Sequence, residues 1–157
     1  MSKILRQIVN MALSEDIGTG DLSSSLLLDN VTSAKIICRE KAIICGIEYS
    51  HLCFSTLDQN IEINWKIKEG EEATPGYVIC YLKGKSQAIV SAERTALNFL
   101  QILSGTATQT KHLVDMIKHT NAKLLDTRKT IPNLRYAQKY AVKCGGGLNH
   151  RLSLIHI

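Results

Sequence analysis

Between residues 124 and 151 the chain runs an apolar pair straight into a cluster of cations. It reads Leu124-Leu-Asp-Thr-Arg-Lys-Thr-Ile-Pro132, then a short helical stretch, then Gly145-Gly-Gly-Leu-Asn-His-Arg151. This order constrains the fold more than any other feature. A helix over about 107–119, a strand over 123–126, a loop, a helix over 133–143 and a glycine loop are how a parallel α/β unit begins. Residues just past a strand's C-terminal end lie on the functional face of such folds. A complete parallel barrel takes about 250 residues, and residues 107–151 supply only 45. One strand–helix unit cannot close a barrel. The expected class is therefore α/β: an α+β domain over residues 1–108, then the incomplete start of an open α/β barrel over 109–151.

Charge follows the same division. Residues 1–110 hold 10 Lys+Arg and 12 Asp+Glu, a balance of −2, whereas residues 111–157 hold 9 and 2, a balance of +7. The basic character thus belongs to the part with the strand-end cations, a field suited to an anionic small molecule. Nucleic acid is not expected, because aromatics near the cations are limited to Tyr136 and Tyr140 and no recognition-module pattern is present. No run of 18 apolar residues exists, so no membrane partner is expected. Without a signal peptide's apolar core at Met1-Ser-Lys-Ile-Leu-Arg-Gln7, the expected compartment is the cytoplasm. Cys38, Cys45, Cys53, Cys80 and Cys144 form no C-x-x-C, so reduced, mostly buried thiols are expected rather than a zinc site.

Along residues 1–108, Ser2 is positioned to cap a helix over 3–14, with Ile4, Leu5, Ile8, Val9, Ala12 and Leu13 on one face. The acidic glycine loop Glu15-Asp-Ile-Gly-Thr-Gly-Asp21 is expected to break it. Residues 32–38 and 41–47 read as a strand pair turning at Arg39-Glu40, and 49–57 as a short helix. Ile61, Ile63, Trp65 and Ile67 alternate with polar residues, as in a half-buried strand. A turn at Pro75-Gly76 leads to a strand over 77–82, closed by Lys83-Gly84-Lys85. Ser91 is expected to cap a helix that Ser104-Gly105 interrupts.

The cations carry the chemistry. Arg128 offers a planar fork to carboxylate or phosphate, and Lys129 a compact point charge. Thr127 and Thr130 flank them with hydroxyls. The triple glycine is expected to let backbone approach a ligand closely before Asn149, His150 and Arg151. Arg94 adds a further cation. No phosphate-binding P-loop, dinucleotide fingerprint, nucleophile elbow or paired carboxylates accompany them, so no catalytic residue is assigned. From the residues alone, the site binds a small ligand with several negative charges.

Ala92-Glu-Arg-Thr-Ala-Leu-Asn98, Leu103-Ser-Gly-Thr-Ala107, Asp126-Thr-Arg-Lys-Thr-Ile-Pro132, Gln138-Lys-Tyr-Ala-Val142 and Gly145-Gly-Gly-Leu-Asn-His-Arg151 together resemble quinolinate phosphoribosyltransferase, also called nicotinate-nucleotide pyrophosphorylase (carboxylating). The resemblance covers residues 1–151 in order. It implies a pentosyltransferase of NAD synthesis that joins quinolinate and phosphoribosyl pyrophosphate, with Mg2+. The products would be nicotinate mononucleotide, pyrophosphate and CO2. It also implies a homodimer in which Arg94 reaches the partner's site. Arg94, Arg128, His150 and Arg151 would match the carboxylate-binding positions, and Thr127 and Lys129 the binding loop.

The family pattern stops at Arg151. Its further lysine, its ribose- and magnesium-binding acids and its phosphate region have no counterpart here. Residues 152–157 resemble a translated sequencing adaptor and are expected to be a non-native tail. The chain as written is expected to be C-terminally truncated and inactive, with exposed apolar faces around 124–142, no metal ligand of its own, and its Mg2+ ligands in the missing part. Two alternatives remain at this point: a molybdenum-associated phosphoribosyltransferase-like protein, and a non-catalytic anion-binding domain.

Overall fold

The fold is seen in a computed structural model that describes residues 3–18, 20–21, 24 and 26–150. The expected Ser2 cap and Arg151 lie outside the described residues. Helix α1 spans Lys3–Ile17 and buries Leu5, Val9 and Leu13 of the expected face, with Ile8 and Ala12 half-buried; Ile4 is exposed, so the buried stripe is narrower than its spacing suggested. It continues through Glu15 and Asp16, so the acidic stretch does not break it; Gly18, at φ 53°, follows its end. The acids have partners elsewhere. Asp16 pairs with Arg94 at 3.2 Å, and Asp21 Oδ2 accepts from the Ser91 hydroxyl at 2.7 Å.

Strand β1 (Val31–Ile37) does not pair with the residues after Arg39-Glu40, as the sequence suggested. Those residues form β2 (Ala42–Ile43), which pairs antiparallel with β4 (Glu72–Ala73). β1 instead runs antiparallel to β5 (Val78–Lys85), with Ala34 opposite Leu82. β3 (Glu62–Trp65) takes the other side of β5, giving an open sheet in the order β1-β5-β3. Alternation shows that one face of a strand is buried, but it cannot choose the partner. Lys83-Gly84-Lys85 does not close β5. The strand runs through it, with both lysines exposed and Gly84 buried. A side chain at Gly84 would lie 2.9 Å from Ile61 Cγ1.

Helix α2 (Ile47–Leu57) begins at Gly46, which adopts φ 100°. Its first amides are capped by the Glu69 carboxylate, which accepts from Gly46 N and Ile47 N, the latter at 2.8 Å. Helix α3 runs unbroken over Ser86–Ile117, 32 residues or about 48 Å at the α-helical rise. It starts five residues before the expected cap, so Ser91 is interior. The expected break at Ser104-Gly105 is absent. A glycine inside a helix costs only about 1 kcal/mol, and Ser104 is used. Its hydroxyl accepts from Cys45 N at 2.9 Å and donates to Cys45 O at 3.1 Å. Thr108, one turn on, accepts from Ile43 N at 2.9 Å. Two turns of α3 thus take over backbone pairing for the short β2 segment.

One apolar cluster packs α1, α2, the sheet and the first half of α3 around Phe54, Ala92, Ala96 and Leu100. A second, smaller one seats helix α4 (Arg135–Cys144) on α3 through Ala137, Ala141, Leu103 and Ala107. The expected strand at 123–126 is reduced to a single parallel bridge, Leu125 with Leu148. Leu125, Ile131, Tyr136, Tyr140 and Leu148 are exposed, in keeping with the exposed apolar faces expected around 124–142. Ser104→Ala leaves the buried N–H and C=O of Cys45 without their partner. We expect it to cost about 1–3 kcal/mol, measured by urea unfolding, whereas Gln109→Ala, at an exposed position of the same helix, changes stability by under about 0.5 kcal/mol.

Candidate anion-binding site

Two segments of unlike origin form one edge. Leu148 N donates to Leu124 O at 2.9 Å and Asp126 N to Leu148 O at 3.0 Å, laying 124–126 beside 148–150. Asp126 then fastens them. Its Oδ1 accepts from the Lys139 ammonium at 2.5 Å and from His150 N at 2.8 Å. With its amide nitrogen facing acceptors, Asn149 donates to Asp126 Oδ2 and to Lys139 O, both at 2.9 Å. The Asp126 and Lys139 side chains are 4% and 2% exposed. A buried carboxylate is tolerable only with such pairing.

The loop beyond Asp126 is also held internally. Lys129 N donates to Thr127 Oγ1 at 3.0 Å, and Ile131 N to Gln138 Oε1 at 2.7 Å. Arg135 Nε reaches Thr130 Oγ1 at 3.3 Å, and its Nη2 reaches Arg128 O at 3.5 Å. Asn133 takes φ 63°, a left-handed position that asparagine tolerates well. Arg128 Nε is buried and has no hydrogen-bond partner.

Thr127, Arg128, Lys129 and His150 therefore share one edge. Arg94 does not join them. It lies on α3 with its side chain 73% exposed, paired with Asp16, beside a polar cleft of about 320 Å³ lined also by Asp21, Glu93 and Gln101. The glycines also have a structural reason. A Cβ on Gly145 would lie 2.3 Å from Ala107 O, and one on Gly147 2.7 Å from Val142 Cγ1. Gly146 requires φ 87°. Gly145 and Gly147 permit close packing against α3 and α4, and Gly146 a sharp turn. Sequence reasoning also gave no role to Lys139, Asn149 or Asp126. The available signal was Asp126 itself. Residues 111–157 contain two acids, and Asp115 is taken by Lys111 one turn away.

The chain matches the family model for the quinolinate phosphoribosyl transferase N-terminal domain over residues 21–104 and that for the C-terminal domain over residues 106–157. This chain belongs to the quinolinate phosphoribosyltransferase family. It is 41% identical, over 96% of its length and 52% of the relative's, to a probable nicotinate-nucleotide pyrophosphorylase (carboxylating) of Bacillus subtilis. It is 38% identical to quinolinate phosphoribosyltransferase (decarboxylating) 1b of Nicotiana tabacum, over 96% of this chain and 43% of that protein. Its fold superposes on the nicotinate-nucleotide pyrophosphorylase of Francisella tularensis with a TM-score of 0.94 and 48% identity, covering 97% of this chain and 54% of that one. The chain thus spans about half the length of these relatives. The mixed α/β architecture with an open sheet is the corresponding part of the family fold.

Lys139→Met removes the counter-ion of the buried Asp126 carboxylate. We expect a loss of about 3–5 kcal/mol in urea unfolding, against under about 0.5 kcal/mol for the exposed Lys143→Met. Gly145→Ala overpacks the contact with α3 and should cost about 1–3 kcal/mol, seen as a lowered thermal midpoint.

Proposed function

We propose that the chain carries the first part of a site that transfers phosphoribose from phosphoribosyl pyrophosphate to quinolinate. Decarboxylation follows, giving nicotinate mononucleotide, pyrophosphate and CO2. The observation that carries this reading is Arg128, whose buried Nε lacks an acceptor beside Thr127, Lys129 and His150. An unmet buried donor costs about 1–3 kcal/mol, and a bound carboxylate supplies the missing acceptor. Quinolinate has two carboxylates, and Arg128, His150 and Arg151 are assigned to them. Pairing them fixes the pyridine nitrogen against the ribose carbon. Thr127 and Lys129 are assigned to the phosphoribosyl donor, where a fixed cation stabilises charge on the departing pyrophosphate.

The described residues do not fit a Mg2+ site. The loops offer one carboxylate, Asp126, and both its oxygens are taken by Lys139, the His150 amide and Asn149. Hard cations need several free oxygen ligands. The steps assigned to this chain are therefore cation pairing and positioning.

The same reading places the enzyme in the cytoplasm and makes it a homodimer, with domains dividing near residue 108 and Arg94 completing the partner's site. Among the described residues no helix is long and apolar enough to cross a membrane. The exposure of Arg94, on an element apart from the loop cations, supports its service in trans. In the dimeric enzyme with the family's remaining C-terminal part present, Arg94→Ala and Arg128→Ala should each lower kcat/KM for quinolinate by about 100-fold or more. Mixing the two inactive variants forms hybrid dimers with one intact site, and nicotinate mononucleotide formation should recover to about a quarter of the unmutated level. Unchanged turnover in Arg128→Ala would sink the site assignment. Two inactive variants that fail to complement would sink the role of Arg94 in trans.

A further inference from the structure

The thiols are the one chemically reactive set that the proposed site does not use. All five are free; Cys38, Cys45, Cys53 and Cys80 are buried and Cys144 half-buried. Ninety-nine positions separate Cys45 from Cys144, so no spacing rule pairs them. The fold does. Cys45 lies two residues beyond β2, held there by Ser104, while Cys144 ends α4. Glu69 reaches the same point from the loop before β4. Sγ of Cys45, Sγ of Cys144 and a Glu69 carboxylate oxygen all lie within 4.8 Å of one another.

We propose that Cys45, Cys144 and Glu69 form a binding site for a thiophilic divalent cation of the Zn2+ class, joining the β2 segment to the end of α4. Two thiolates and a carboxylate are a donor set that zinc accepts, at about 2.3 Å to sulfur and about 2.0–2.2 Å to oxygen. Those lengths put tetrahedral donors about 3.3–3.8 Å apart, so the three groups need to close by no more than about an ångström. A water completes the tetrahedron.

Glu69 can serve while keeping its capping role. A carboxylate offers about four acceptor positions, and the amides of Gly46 and Ile47 take three at most, since Gly46 N is shared between both oxygens. The N-terminal end of α2 also faces this group and offsets its negative charge. Without metal, burial and then the Glu69 charge push the Cys45 thiol up, and burial raises Cys144. Both sulfurs are then protonated, and a bound cation displaces those protons. Tyr140 borders Cys144, and its phenol is also raised, first by burial and then by that sulfur. Glu40 and the other three cysteines lie apart; Cys38 donates instead to Glu40 O at 2.8 Å.

Co2+ titrated into the full chain, kept reduced with a phosphine, tests this. We expect one equivalent to bind, with thiolate-to-cobalt charge transfer in the near ultraviolet and tetrahedral visible bands, displaced by one equivalent of Zn2+. Cys45→Ser and Cys144→Ser should each weaken binding by about tenfold or more and about halve the charge-transfer intensity, and Cys38→Ser should leave both unchanged. Because a cysteine variant can fail to fold, X-ray absorption on the unmutated cobalt-loaded chain gives an independent sulfur count of two. A count of zero or one, no charge transfer at millimolar Co2+, or stoichiometric binding kept in the double Cys45→Ser/Cys144→Ser variant overturns the proposal.

Discussion

The buried pair of Asp126 and Lys139 is the interaction on which the functional edge depends. Removing two charges from water costs several kcal/mol each, and mutual attraction repays this only with good geometry and further hydrogen bonds. Here the further bonds exist: one Asp126 oxygen also accepts His150 N–H, and the other accepts Asn149. The net contribution to stability is therefore modest, and the larger effect is positional. Three chain segments (the strand end, the face of α4 and the loop after the glycines) can satisfy one carboxylate only in one arrangement. Arg128, Lys129 and His150 inherit their spacing from it.

That arrangement in turn needs α4 to sit close to α3. Ala137 and Ala141 pack with Leu103 and Ala107, and Gly145 and Gly147 leave no room for a Cβ. Since α3 also carries Ala92 and Ala96 into the main core, one helix registers the loop cations against the N-terminal domain. The unbroken α3 thus fixes geometry: Arg94 in its first third and Ala107 at two-thirds of its length have a separation of about 20 Å at the α-helical rise.

Much of this was legible in the sequence, where local physics decides. The central positions of the α1 stripe and the alternation at Ile61 to Ile67 read correctly because each depends on a single period. The pairing of β1 with β5 did not, since period-2 alternation is the same for any partner. Ser104-Gly105 read as a break because helix propensity was weighed without the Cys45 backbone that needs Ser104. The packing role of Gly145 and Gly147 was not legible, because sequence does not show that α3 lies against them. The role of Asp126 in joining the two segments was missed, since a lone aspartate among cations looks like charge balance until burial is known.

The same limit explains why the cysteines read as inert. Spacing rules detect ligands that one local segment presents, whereas Cys45 and Cys144 meet through two independent contacts, Ser104 holding one segment and the Ala137–Ala141 face holding the other. Both contacts run through α3. The helix that registers the anion site therefore also sets the distance between the two sulfurs. Anything that draws Cys45 and Cys144 together pulls the end of α4 toward the N-terminal domain. Gly145 to His150 follow directly from that end and lead to the amide that Asp126 holds. The anion edge and the thiol cluster are distinct in chemistry and share one mechanical support.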